Sequence, residues 1–351
     1  MSSHQTAKIF AVVVVVMAIA SVGFLMIVLD ETPPGGDMTT IEGGTYTHHP
    51  PITLRSNIEF ANQAAEEGWK GNGTSSNPYL IENLLIRSDA ECVDVSDSTV
   101  HFVVRNCFLS STPELSADCA AISIFNSSNA HLESCIVNSN DDGMQFFFSH
   151  DCTISNCTIE ALCAGVNATE SHDLRFESSA IRNCIYGATI IGSPSVNFSH
   201  NRVCHNEWGV LAQFSDSCRL WNNTISENQE GVDLQILCAN WSIRNNTVLN
   251  NTGVGIRLGE QTGNISLVCN RLGWNEMSNA IDDGSDNKWD DGVNQGNYWS
   301  DYDTSGVYLV PGSAGSVDHY PLLLEESDDT TALAAWLQSL KADRQWHCAS
   351  T

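Results

Sequence analysis

Apolar and polar positions between Gly143 and Trp274 fall into aligned columns. Glycines recur at Gly143, Gly165, Gly187, Gly209, Gly231 and Gly255, in four steps of 22 residues and one of 24. Fourteen or fifteen residues after each glycine stands a second column: Cys157, Ser179, Asn201, Asn223, Asn246 and Asn270. Backwards it takes in Cys135 and, across a longer loop, Cys107. Three residues before its members lie Val104, Leu132, Ile154, Phe176, Phe198, Leu220, Ile243 and Leu267. Two residues after lie Leu109, Val137, Ile159, Ile181, Val203, Ile225, Val248 and Leu272. A serine column (Ser127, Ser149, Ser171, Ser193, Ser215) and an asparagine column (Asn140, Asn206, Asn228, Asn251, Asn275) keep the same register.

A fixed period in the range of about 20–50 residues means a stacked repeat. Each period holds short alternating runs, such as Arg219-Leu220-Trp221 and Thr224-Ile225-Ser226, punctuated by Gly, Asn and Ser. That is strand and turn chemistry, and no window keeps a 3.6-residue stripe. Short strands stacked at about 4.8 Å per rung give an all-β fold, a single-stranded right-handed parallel β-helix of about 8–10 rungs. Inward Asn side chains can bond from rung to rung, as in other stacked β structures. The predicted structural ladder is Cys135, Cys157, Asn201, Asn223, Asn246 and Asn270.

The flanks read differently. Residues 1–8 form a short polar stub, and Ile9 to Leu29 is an uncharged stretch of 21 residues, long enough to span a bilayer as one transmembrane helix. Lys8 before it and Asp30, Glu31 and Asp37 after it orient the N-terminus to the cytoplasm. A cleaved signal peptide ending at Ala18-Ile19-Ala20 is the competing reading, and either one exports the chain. Residues 30–51 read as a flexible Pro/Gly/Thr-rich linker, and 52–324 as the β-helix domain, with caps at 52–90 and 278–324. Ser56 is placed to cap a helix over 57–67 with Ile58, Phe60, Ala61, Ala64 and Ala65 on its apolar face, covering the open end of the coil. An acidic tail with a short helix fills 325–351.

Two flanking motifs carry a family resemblance. The run Gly68-Trp69 … Gly73-Thr74 … Asn77-Pro78-Tyr79-Leu80-Ile81, and Asn297-Tyr298-Trp299-Ser300-Asp301-Tyr302 with Val317-Asp318-His319-Tyr320-Pro321-Leu322, resemble prokaryotic surface β-helix proteins of the NosD type. The resemblance spans about Ile52 to Leu324 and implies the pectin-lyase-like β-helix shared by carbohydrate-binding proteins and sugar hydrolases. It also implies copper delivery outside the membrane. In many members an Asp-x-Asp-x-Asp-Gly run follows the Asn-Tyr-Trp motif; here Asp303-Thr304-Ser305-Gly306 replaces it, which weakens a calcium loop there.

The formal net charge of -27 excludes a nucleic-acid partner, which needs a basic face. Ten Asn-x-Ser/Thr sequons agree with export as a glycoprotein, although Asn and Ser are abundant in the repeat itself. The thirteen cysteines read mainly as small buried apolar residues in the columns. The acidic cluster Asp282, Asp283, Asp286, Asp290, Asp291, Asp301, Asp303 and Asp318 reads as a solvated surface, with Ca²⁺ as the alternative. Ser149-His150-Asp151 recurs as Ser171-His172-Asp173; stacking would set His150 over His172 and Asp151 over Asp173, a candidate Cu²⁺ or Zn²⁺ site weighed against plain repeat duplication. Asn140-Asp141-Asp142-Gly143 is superficially like the paired aspartates of polysaccharide hydrolases, but Asn140 and Gly143 already belong to columns, so it reads as structural.

These observations predict a membrane-anchored extracellular β-helix protein, a non-catalytic binding or structural module for polysaccharide. Trp208, Trp221 and Trp274 are its candidate sugar-stacking residues. A polysaccharide lyase or hydrolase and a NosD-like metal carrier are the alternatives.

Overall fold

The computed structural model describes residues 38–41, 44–112 and 119–323. The expected transmembrane helix over 9–29, the stub before it and the tail over 325–351 lie outside the described residues. Within them no helix is long and apolar enough to cross a membrane.

Each 22-residue period makes one turn of three short strands. Thr153–Ser155 lies on sheet I, Thr158–Ala161 on sheet II and Ala164–Thr169 on sheet III. Parallel pairing then joins each strand to its counterpart one period on: Ile154 opposes Phe176, Ile159 opposes Ile181, and Val166 opposes Ala188. Among the described residues sheet I has nine strands, sheet II twelve and sheet III ten, so the coil makes about nine turns. It is a parallel β-helix, right-handed like nearly all parallel crossovers.

The columns now have physical causes. The residue joining sheet I to sheet II sits in the left-handed region, for example Asn156 (φ 55°), Asn222 (φ 54°) and Asn245 (φ 57°). Asn tolerates that region better than most residues. The glycine column has another origin. A Cβ on Gly187 would stand 2.5 Å from the carbonyl oxygen of Gly209 and 2.6 Å from Val203 Cγ1, so the bend into sheet III leaves no room for a side chain. Apolar stacks fill the interior; Leu132, Phe198, Leu220, Ile243 and Leu267 have no exposed surface.

Polar ladders line the bends. In the serine ladder, Ser127 N donates to Ser149 Oγ (3.2 Å) and Ser149 N to Ser171 Oγ (3.0 Å). In the first asparagine ladder, Asn201 N donates to Asn223 Oδ1 at 2.9 Å, Asn223 N to Asn246 Oδ1 at 2.9 Å, and Asn246 N to Asn270 Oδ1 at 3.0 Å. The second runs from Asn206 through Asn228 and Asn251 to Asn275. Each Asn also donates from Nδ2, so it satisfies buried groups on the rungs either side.

Cys135 and Cys157 fill early positions of the first ladder's column as buried thiols. Cys135 Sγ donates to Val104 O (3.5 Å) and Cys157 Sγ to Leu132 O (3.6 Å). Neither forms a disulfide, nor do Cys152 and Cys218. Burial pushes the Cys152 thiol up to about 12, which keeps it protonated.

At the N-terminal end, helix α1 (Asn57–Glu67) begins at Ser56, whose Oγ accepts from Glu59 N at 3.2 Å. Phe60 stacks on Tyr79 (5.3 Å) and packs against Phe102 (4.9 Å), closing the first rung. Only Phe60 and Ala64 of α1 are buried; Ile58 points to solvent, so the apolar face is narrower than its sequence suggested. The linker expected over 30–51 is also corrected in part. Met38–Ile41 and Gly44–His48 pair antiparallel, and Thr47 and His48 add to sheet II beside Leu84 and Leu85. Tyr46, 3% exposed, anchors this pair edge-on to Phe108. One buried aromatic is enough to fix a Thr-rich segment that otherwise reads as a spacer.

At the C-terminal end Trp289, Trp299 and Tyr308 stack over the last rung, with Trp299 and Tyr308 4.0 Å apart. The expectation of a solvated acidic surface fails for Asp282 and Asp318, both fully buried. Asp282 accepts from Trp289 Nε1 (2.8 Å), Asn287 Nδ2 and Ser316 Oγ. Asp318 accepts from Trp299 Nε1 (2.9 Å), Asn297 N and Tyr320 N. These carboxylates tie the closing aromatics to the coil.

Candidate functional site

Alternation on sheet III sends every second side chain outward. Met144, Phe146, Val166, Ala168, Val210 and Val232 point into the core. Their neighbours Gln145, Asn167, Thr189, Leu211 and Asp233 make an outward row, and Asp142, Ala164, Tyr186, Trp208 and Glu230 line up in a second row before the glycine bend, where the alternation breaks.

The middle of this face is aromatic. Tyr186 stacks on Trp208 at 5.2 Å and 25°, and Ala164 and Leu211 pack beside them. Its two ends are polar. At one, Asn167 Nδ2 donates to Asp142 Oδ2 (2.8 Å) and Thr189 Oγ1 donates to Asn167 Oδ1 (3.2 Å). At the other, Gln213 Nε2 donates to Gln235 Oε1 (2.6 Å) and Gln235 Nε2 to Asp233 Oδ2 (2.8 Å). Among the described residues Asp233 Oδ1 is buried without a hydrogen-bond partner.

Burial is the main influence on both carboxyls. It raises Asp142 to about 6 against the hydrogen bonds from Asn167 and Ala164, and the neighbouring charge of Asp141 adds to the rise. It raises Asp233 too, opposed by Gln235 and by the positive charge of Arg257. Asp141, Asp142 and Cys163 gather at the edge of this face, with one ligand atom of each within 4.8 Å of the others.

The repeated Ser-His-Asp triplets lie on the turn from sheet III to sheet I. His150 pairs directly with His172, and the rings stack in parallel at 5.0 Å and 2°. Each Nδ1 is bonded to its own neighbour, His150 to Asp151 at 3.0 Å and His172 to Asp173 at 2.9 Å. All four residues face solvent. Trp221 (38% exposed) sits under the guanidinium of Arg219, and Trp274 is 47% exposed; they lie apart from the Tyr186–Trp208 pair in the fold.

Sequence reading singled out Trp208 and set Asp142 aside as structural; it missed Tyr186, Asn167, Asp233 and Gln235. A signal was present, since Gln145, Asn167, Thr189, Leu211, Asp233 and Arg257 repeat at 22 or 24 residues. Their chemistry varies along the column, so the column does not stand out as the Asn and Gly columns do.

A family model described as periplasmic copper-binding protein (NosD) matches residues 115–304, more than half of the chain. No curated protein matches it in sequence. Among solved structures, a mutant of the periplasmic alginate epimerase AlgG superposes with TM-score 0.50 at 14% identity, covering 79% of this chain and 84% of that one. Another AlgG structure gives TM-score 0.45 at 14% identity, covering 83% and 76%. The Dettilon tailspike protein gives 0.44 at 11% identity, covering 69% and 57%. The AlgG mutant's likeness is one of fold, the parallel β-helix already evident in the rungs. The family model bears on descent, because its matched span covers the asparagine ladders and the Asn-Tyr-Trp motif at Asn297: the chain belongs to the NosD family.

Proposed function

We propose that the protein is an extracytoplasmic β-helix module that binds polysaccharide on the outer face of sheet III without cleaving it. The observation that carries this reading is the part-exposed Trp208 ring, stacked on the nearly buried Tyr186 beside Leu211 and flanked at both ends by hydrogen-bonding side chains. Sugars present apolar ring faces edged with hydroxyls, and aromatic platforms match them. That AlgG is an alginate epimerase and the family is described as periplasmic agrees with an extracytoplasmic carbohydrate role. The net charge of -27 and the carboxyls of Asp142, Asp233 and Glu230 on this face favour neutral glycans over polyuronates. The segment 9–29 would tether the module to the membrane.

A glycan array probed with the full-length protein should show saturable binding to neutral polysaccharide. Trp208→Ala should weaken it about fivefold, the scale of a lost stacking contact of about 1 kcal/mol. Absence of saturable hits, or an unchanged Trp208→Ala affinity, ends the reading.

The family description favours a second reading, in which His150, Asp151, His172 and Asp173 hold copper. The donor types suit Cu²⁺. The geometry fits less well. Imidazole lone pairs lie in the ring planes, and two parallel planes 5.0 Å apart do not converge on one ion until the rings turn. On this reading, purified protein loaded with Cu²⁺ should lose about one equivalent in the His150→Ala, His172→Ala double variant; unchanged stoichiometry rejects it.

A further inference from the structure

We propose that Asp141, Asp142 and Cys163 form a binding site for a thiophilic divalent cation of the Zn²⁺ class, separate from the histidine pair. The stacking of rungs builds it. Asp141 and Asp142 end one turn's passage from sheet II to sheet III, and Cys163 occupies the same bend one rung on, where its N–H donates to Asp141 O at 3.1 Å. One ligand atom from each residue lies within 4.8 Å of the other two, close enough for a single ion to meet all three after small side-chain adjustments.

The surroundings fix the carboxylates. Asp141 Oδ2 accepts from Cys119 N (2.9 Å), and Asp142 accepts from Ala164 N (2.9 Å) and Asn167 Nδ2 (2.8 Å). Outer hydrogen bonds of this kind orient metal ligands. Asp142 is 8% exposed, and among the described residues its hydrogen-bond partners are the Asn167 amide and the Ala164 N–H, neither of them cationic. Buried carboxylates are normally paired with a cation or bound to a metal. Asp141 and Cys163 are half-exposed, which gives an ion a route in from solvent.

The donor set selects the cation. Ca²⁺ takes six to eight oxygens and Mg²⁺ an octahedron of oxygen, whereas Zn²⁺ accepts mixed sulfur and carboxylate ligands in fours. Three protein donors leave one position for water. Binding forms a metal–sulfur bond, and the thiol proton leaves to solvent.

Co²⁺, titrated as the chloride into the reduced full-length protein, reports on a sulfur ligand. A thiolate-to-cobalt charge-transfer band should grow in the near ultraviolet to one equivalent, and Zn²⁺ should bleach it. Cys163→Ser should abolish the band, and Asp141→Asn should weaken Co²⁺ binding at least tenfold. The His150→Ala, His172→Ala double variant should keep it. No band, a band surviving Cys163→Ser, or a band lost with the histidines overturns the site. Should Cys163→Ser fail to fold, the Asp141→Asn affinity decides: equal affinity overturns it as well.

Discussion

Asn246→Ala is expected to lower the unfolding free energy by about 3–5 kcal/mol, while Asn245→Ala next to it costs about 1 kcal/mol. Asn246 is fully buried. Its Oδ1 accepts from Asn223 N (2.9 Å) and Asn223 Nδ2 (3.0 Å), and its Nδ2 donates to Leu220 O (2.6 Å) and Asn270 Oδ1 (3.0 Å). Truncation leaves two N–H donors of Asn223, one backbone and one side-chain, buried without that partner. Each such group costs about 1–3 kcal/mol, and relaxation recovers part of the sum. Asn245 faces solvent at φ 57°, so its replacement mainly forces alanine into the left-handed region. Urea unfolding of the two variants should therefore show a much lower midpoint for Asn246→Ala at a similar slope. Equal midpoints would mean that the ladder contributes no more than turn geometry does.

That contrast also marks what sequence reading could see. A solenoid puts residues one period apart into one environment, so identical demands write identical letters: Asn at the ladder, Gly where a Cβ would strike the next carbonyl, Ile or Phe inside. The coil was legible for this reason, while the helix at Asn57–Glu67 was read from Ser56 as its N-cap and the C-terminal closure from its clustered aromatics. The candidate face was not. Its outward positions pack against varied neighbours rather than an identical rung, so Gln145, Asn167, Thr189, Leu211 and Asp233 share no letter. Asp142 was visible but appeared structural, because periodicity explains Gly143 beside it and is silent on what a neighbouring carboxylate faces. Cys163 seemed one apolar cysteine among many, since only the three-dimensional rung sets it beside Asp141. The strands at Met38–Ile41 and Gly44–His48 were hidden because a single buried side chain, Tyr46, carries most of their apolar contact.

Asp318→Ala should destabilise the protein by about 3–5 kcal/mol and expose the C-terminal cap to protease. Asp318 ends the first asparagine ladder: Asn270 N donates to Asn297 Oδ1 (3.0 Å), and Asn297 N in turn donates to Asp318 Oδ2 (2.7 Å). The same oxygen receives Trp299 Nε1 (2.9 Å), and Oδ1 receives Tyr320 N (3.0 Å). Alanine strands the indole N–H of a tryptophan that is only 2% exposed and that stacks on Tyr308 at 4.0 Å. A half-satisfied buried network is worse than none, so the loss should spread from the hydrogen bonds to the stack. Asp318→Asn keeps the volume and one acceptor oxygen but turns an N–H₂ group toward a cluster of donors, and should recover less than half of the deficit. Limited proteolysis followed by mass spectrometry locates the effect. Cleavage should appear first within residues 290–323 in the alanine variant, with the rungs from Gly143 to Trp274 still protected. Cleavage spread evenly along the chain would instead show that the cap is no separate point of closure and that the coil opens as one unit.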